Sequence, residues 1–166
     1  DTDGKHFIMR FKVGENVGEG SSSVMEDVSV YDERKKIVDQ TLSELGAKVV
    51  KEERTLPYSL RYEIDYDVKD LLNFSQTIES IPGVEILSMG KSLEVIKDLG
   101  NAKAVCDRYS LDKLVGTHAI GHARMATESG VDIKSAHPFW GYPFSDVSVV
   151  HNLSLIHISE PTRRTP

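Results

Sequence analysis

The clearest pattern in the chain is an alternation: Tyr58, Leu60, Tyr62, Ile64 and Tyr66 interleave with Ser59, Arg61, Glu63 and Asp65. A period of two predicts a strand with one apolar face, and hence a half-buried one. On either side the period changes to that of a helix. Ile37, Val38, Leu42 and Leu45 predict a helix over 33–45, capped by Asp32 and closed by Gly46. Val68, Leu71, Leu72, Ser75 and Ile78 predict a second helix, capped by Asp67 and ended by Pro82-Gly83. Strands are expected at 5–13, at 24–30 (Val24, Val28, Val30), briefly at Val49-Val50 and at 84–87, with a Gly/Ser-rich loop at 14–23. Ser92 to Leu99 and Ala102 to Arg108 read as two further helices. The order over residues 24–89 is strand, helix, strand, strand, helix, strand, that of a ferredoxin-like split unit.

Composition adds exclusions. The 166 residues carry 20 Lys+Arg against 26 Asp+Glu, a net charge of -6, so no basic footprint for nucleic acid exists. No apolar run is long enough to span a bilayer. A single cysteine, Cys106, together with no signal-like opening, predicts a cytoplasmic location. Cys106 sits among Ala102, Ala104 and Val105, as a small packed hydrophobe does. Gly90-Lys91-Ser92 ends like a phosphate loop, but Glu85 stands where that motif needs glycine.

The chemistry is concentrated in 116–152. Gly116-Thr117-His118-Ala119-Ile120-Gly121-His122-Ala123-Arg124-Met125-Ala126-Thr127 is followed by Ala136-His137-Pro138-Phe139, and then by Val147-Ser148-Val149-Val150-His151-Asn152. In these three ordered motifs the chain resembles the class II glutamine amidotransferases, the enzymes with an N-terminal cysteine nucleophile. The upstream residues look like the glutaminase-type subunits related to glutamate synthase and N-methylglutamate synthase.

The resemblance implies an α+β fold, an incomplete αββα N-terminal-nucleophile hydrolase sandwich with a ferredoxin-like inserted subdomain. Residues 1–23 would belong to the amidotransferase core, 24–89 to the insertion and 90–152 to the core with its glutamine-binding motifs. Residues 153–166 resemble the translation of a sequencing adapter and are expected to be a non-biological tail, and the chain is expected to begin inside a longer protein.

The same resemblance implies the site roles. Arg124 would clamp the glutamine α-carboxylate through two parallel charge-assisted hydrogen bonds, with Thr127 adding a hydroxyl contact. Asn152 would donate to the oxyanion, next to a backbone N–H at a position where the family has glycine and this chain has Leu153. His122, His137 and His151 would support the loops carrying these groups. The nucleophilic cysteine must be the first residue, where this chain has Asp1, so the chain itself is expected to be inactive; the family's acidic residue for the substrate amino group is expected beyond position 152. Ammonia would pass to a partner synthase domain or subunit, and the glutaminase step needs neither metal nor cofactor.

Two other classes stay open. His118, His122, His137 and His151 could serve a zinc-dependent hydrolase, although the residues between the first two include no glutamate for a general base. A non-catalytic small-ligand-binding regulatory module built on 24–89 is the other.

Overall fold

In the computed structural model, residues 4–14, 28–67, 69–123, 133, 136–142 and 144–151 are described. Their centre is a four-stranded antiparallel sheet of order β2-β3-β1-β4. The strands are β1 (Phe7–Val13), β2 (Lys48–Leu56), β3 (Ser59–Asp65) and β4 (Val84–Gly90). Helix α1 (Val28–Glu44) joins β1 to β2, and α2 (Leu71–Glu79) joins β3 to β4. The chain is thus mixed α and β, with the expected strand-helix-strand-strand-helix-strand order.

Its first strand is not the expected one. Phe7–Val13 pairs with both β3 and β4, and Val28 and Val30 begin α1 instead of forming a strand. Val24 lies outside the described residues. The short strand expected at Val49-Val50 is a nine-residue edge strand. Its Lys48, Lys51, Glu52, Glu53 and Arg54 give the open edge a charged character that discourages pairing with another sheet. The cap of α2 is Asp70, whose carboxylate accepts the Asn73 N–H at 3.0 Å, and not Asp67.

One sheet face holds the core. Met9, Phe11 and Val13 of β1 and Leu60, Tyr62 and Ile64 of β3 are buried in one cluster with Val38 and Leu42 of α1 and Phe74 and Ile78 of α2. In each helix the buried pair is four residues apart, the spacing that stacks side chains on one stripe. Ile37 and Leu72, expected inward, lie off those stripes and are 37% and 39% exposed. Phe11 meets Tyr62 edge-on at 4.9 Å, and the Tyr62 hydroxyl donates to Asp39 at 2.7 Å, which satisfies its only polar group. Each fully buried aliphatic or aromatic side chain contributes about 1.5–3 kcal/mol relative to an exposed one.

The opposite face is buried as well, so β3 is not half-exposed. Arg10, Lys12, Ser59, Arg61, Glu85 and Ser88 are all buried. They lie under residues 91–101, the segment expected to start with a helix at Ser92–Leu99; it is irregular there instead. The reason is electrostatic. The Glu94 carboxylate takes Arg10 Nε at 2.5 Å and Arg61 Nε and Nη2 at 3.0 and 3.1 Å. Asp98 pairs with Lys12 Nζ at 3.2 Å and accepts the hydroxyls of Tyr58 and Tyr109 at 3.0 and 2.9 Å. Buried charges need such partners, and spreading their ligands along an extended segment supplies them where a helix would turn some away. Burial opposes ionisation of Asp98, yet Lys12 and the Leu99 N–H hold its carboxyl below the usual range. Burial and the neighbouring Asp98 push the Tyr58 hydroxyl up to about 12.

After this strap comes α3 (Ala102–Tyr109), capped by Asn101, whose side chain accepts the Ala104 N–H at 2.9 Å. Half-buried Cys106 lies on it. A 3-10 turn at Leu111–Lys113 follows α3, and a second ladder, β5 (Phe139–Trp140) with β6 (Ser148–Val149), completes the described elements. Among the described residues, no helix is long and apolar enough to cross a membrane.

Candidate functional site

Two of the three sequence motifs meet at the β5–β6 hairpin, since His137 enters β5 and His151 follows β6. Phe139 faces Val149 and Trp140 faces Ser148. The connection is closed by the Gly141 N–H donating to Val147 O at 2.7 Å and the Trp140 indole N–H donating to Phe144 O at 2.8 Å. A Cβ at Gly141 would stand 2.7 Å from Val147 Cγ1, so the approach of the two strands requires the missing side chain.

Asp146 in this connection has φ of +57°, a left-handed conformation that aspartate tolerates. Its Oδ1 accepts the N–H groups of Ser92 and Leu93 at 2.7 and 2.8 Å, and Oδ2 that of Lys91 at 3.1 Å. Burial works against ionisation here, but the three N–H donors hold the carboxyl below its usual range. The hairpin is thereby tied to the point where the chain leaves β4. Lys97 of the strap reaches the same hairpin, with Nζ 5.6 Å from the Phe139 ring centre.

The third motif joins through His122. Its ring lies 4.5 Å from that of His137, which lies 4.6 Å from that of His151 and 4.5 Å from that of Phe139. His137 Nδ1 accepts the backbone N–H of His151 at 3.2 Å. Among the described residues, the buried His122 Nδ1 has no hydrogen-bond partner. The three imidazoles pack ring against ring, and among the described residues no group of three His, Cys, Asp or Glu side chains is arranged to hold a metal ion. His118 is exposed, with Nδ1 3.1 Å from Thr117 Oγ1. Geometry therefore gives the zinc reading no support. Arg124, Thr127 and Asn152 lie outside the described residues.

Sequence reasoning passed over Asp146 and Lys97. Asp146 had a local signal, a Ser-Asp pair between two short apolar runs, which is turn chemistry. Lys97 had none, because its partners are remote in sequence.

No protein-family model matches the chain. Curated relatives do match. The chain is 46% identical over 90 residues to a protein of Methanothermobacter thermautotrophicus that is by name a glutamine amidotransferase, covering 52% of this chain and 30% of that protein. It is 46% identical over 74 residues to the glutamine amidotransferase-like protein GlxB of Rhizobium meliloti, 45% of this chain and 24% of that one. With amidophosphoribosyltransferase 2 of Arabidopsis thaliana chloroplasts it shares 35% identity over 79 residues, 47% of this chain and 14% of that one. Over about half its length the chain is similar to glutamine amidotransferases. It spans less than a third of the length of any of these three relatives.

Proposed function

We propose that this chain is part of a class II glutamine amidotransferase, in which glutamine is hydrolysed to glutamate and ammonia is delivered to a partner synthase domain or subunit. The observation that carries the reading is the convergence of His122, His137 and His151, one from each of the three amidotransferase-like motifs, into a single ring-packed cluster. Motifs that are separate in sequence but contiguous in space are what one site requires. The similarity to glutamine amidotransferases supports it independently.

In this reading Arg124 holds the α-carboxylate of glutamine in a bidentate pair and Thr127 adds a hydroxyl contact. A thiolate at the N-terminus of the mature enzyme attacks the side-chain amide carbon, and Asn152 stabilises the oxyanion that forms. Collapse of that intermediate expels ammonia and leaves a thioester, which water cleaves to glutamate. Cys106, half-buried on α3 and inside the chain, has no α-amino group beside its sulfur to manage the proton, so it does not take the part of that nucleophile. The hairpin β5–β6 would be one corner of an αββα N-terminal-nucleophile sandwich, and residues 24–89, which carry α1, β2, β3, α2 and β4, the inserted unit.

The test is glutamate release from glutamine by the full-length protein that carries this chain. Arg124→Ala should raise KM for glutamine by at least about tenfold, the loss of a bidentate carboxylate clamp. Unchanged kinetics in that variant, or no glutamate release by the unmodified enzyme, would overturn the reading.

A further inference from the structure

The first residues of the strap are held from two sides at once. The Leu93 N–H donates to Asp146 Oδ1 of the β5–β6 connection at 2.8 Å, beside the Ser92 N–H at 2.7 Å. The next side chain, Glu94, turns to the sheet and accepts from Arg10 and Arg61. Val95 then donates its N–H to Ser88 Oγ of β4 at 3.0 Å, in a buried position. Arg10 and Arg61 are register partners on β1 and β3, and their side chains are only 9% and 8% exposed. Like charges directly opposite in a ladder repel, and guanidiniums out of water need a counter-charge. Glu94 is the counter-ion they share.

We propose that residues 91–95 are a coupling element: the Glu94 seat on Arg10 and Arg61 and the Asp146 clamp on the hairpin open and close together, so that the charge layer of the sheet unit sets how firmly the hairpin bearing His137 and His151 is held. The two arrangements are the strap seated and the strap lifted. Lifting hydrates both guanidiniums and, because Leu93 and Glu94 share a peptide bond, draws the Ser92 and Leu93 N–H groups off Asp146 in the same movement. Coupling between remote groups needs such an element with two discrete arrangements that both ends bias. A change in the charge layer thereby reaches the candidate site from outside it. The inference goes beyond the glutaminase reading and does not depend on it, since it concerns the hairpin whatever reaction the hairpin serves.

Amide hydrogen exchange in the full-length protein that carries this chain reads both ends. The Gly141 N–H, bonded to Val147 O at 2.7 Å, reports on the hairpin, and the Val95 N–H on the seat. Glu94→Gln keeps the size of the side chain and removes its charge; it should speed Gly141 exchange by at least about tenfold through local opening. Coupling is reciprocal, so Asp146→Asn should speed Val95 exchange by a similar factor. Leu42→Ala leaves a cavity on the opposite face of the sheet; it lowers overall stability but should leave both amides within about twofold of the wild type. An effect of either charge variant that stays on its own side of the Leu93–Glu94 peptide overturns the proposal. So does equal acceleration by Leu42→Ala, which would mean that the hairpin opens only with the whole fold. If Glu94→Gln does not fold, the Asp146→Asn arm decides alone.

Discussion

Asp146 Oδ1 accepts the backbone N–H of Ser92 at 2.7 Å, joining a hairpin turn to a segment 54 residues earlier in the chain. With the Leu93 and Lys91 N–H groups on the same carboxylate, one side chain closes three otherwise open donors at the exit of β4. This is the main polar link between the sheet unit and the hairpin that bears His137 and His151. Asp146→Ala should therefore cost about 2 kcal/mol of stability, since hydrogen bonds to a charged group are worth about 1.5–3 kcal/mol and this one is partly solvated. Asp146→Asn, which keeps an acceptor oxygen, should cost about half as much. Urea unfolding of the two variants measures both. Equal losses would mean that a neutral acceptor recovers nothing and that the charge carries the whole contact.

Gly90 makes the same junction possible from the other side. A Cβ there would stand 2.3 Å from Asp146 Oδ1, 2.8 Å from its Cγ and 2.9 Å from its backbone nitrogen. Gly90→Ala must push the hairpin away, at a cost of about 1–3 kcal/mol typical of overpacking. Because the clash includes backbone, shortening the side chain with Asp146→Ser should not rescue it. A double variant with wild-type thermal stability would show that the hairpin does not sit against β4 in solution.

The core face of this fold is legible in the sequence because one local rule governs it. Leu60, Tyr62 and Ile64 alternate, Val38 and Leu42 repeat at four, and no distant partner is needed to see either. Val28 and Val30 mislead for the same local reason: β-branched residues favour a strand, and packing of α1 on the sheet overrides that preference. Ser92–Leu99 misleads more deeply. Its apolar spacing is helical, but Glu94 and Asp98 answer to Arg10, Lys12 and Arg61, whose own burial is invisible until the sheet is assembled. At the candidate site the motifs could be found by their residues, whereas the ring packing of His122, His137 and His151 depends on a hairpin only two residues per strand long.

Lys12 and Asp98 form the most deeply buried ion pair in the strap layer, with side chains 1% and 4% exposed. Burial pushes the Lys12 ammonium below its usual value, against the pull of Asp98. Removing one partner strands the other charge, so Lys12→Met and Asp98→Asn should each cost about 3–5 kcal/mol. The double variant should cost clearly less than their sum, because the stranded charge is gone in both halves of the layer. A double-mutant cycle by chemical denaturation gives the coupling directly, and strict additivity would mean that the two charges do not interact.

The acid limb of stability follows from the same carboxylates. Glu94 is desolvated, which alone would raise its pKa, yet the Arg61 and Arg10 guanidiniums hold it below the usual range; Asp98 and Asp146 are held down likewise by Lys12 and by backbone N–H donors. For each group the folded state binds its proton less readily than the unfolded chain. Between the two pKa values the unfolded chain carries more protons, so stability rises with pH there and is fully present above the unfolded values of about 4. As pH falls from about 5 through the lowered folded values, that contribution is lost. Thermal melts should therefore be flat from pH 7 to about 5 and fall steeply below. Glu94→Gln should melt lower than the wild type at pH 7 but lose less on acidification, so that the two curves converge near pH 3. Parallel curves would assign the acid sensitivity to groups other than Glu94.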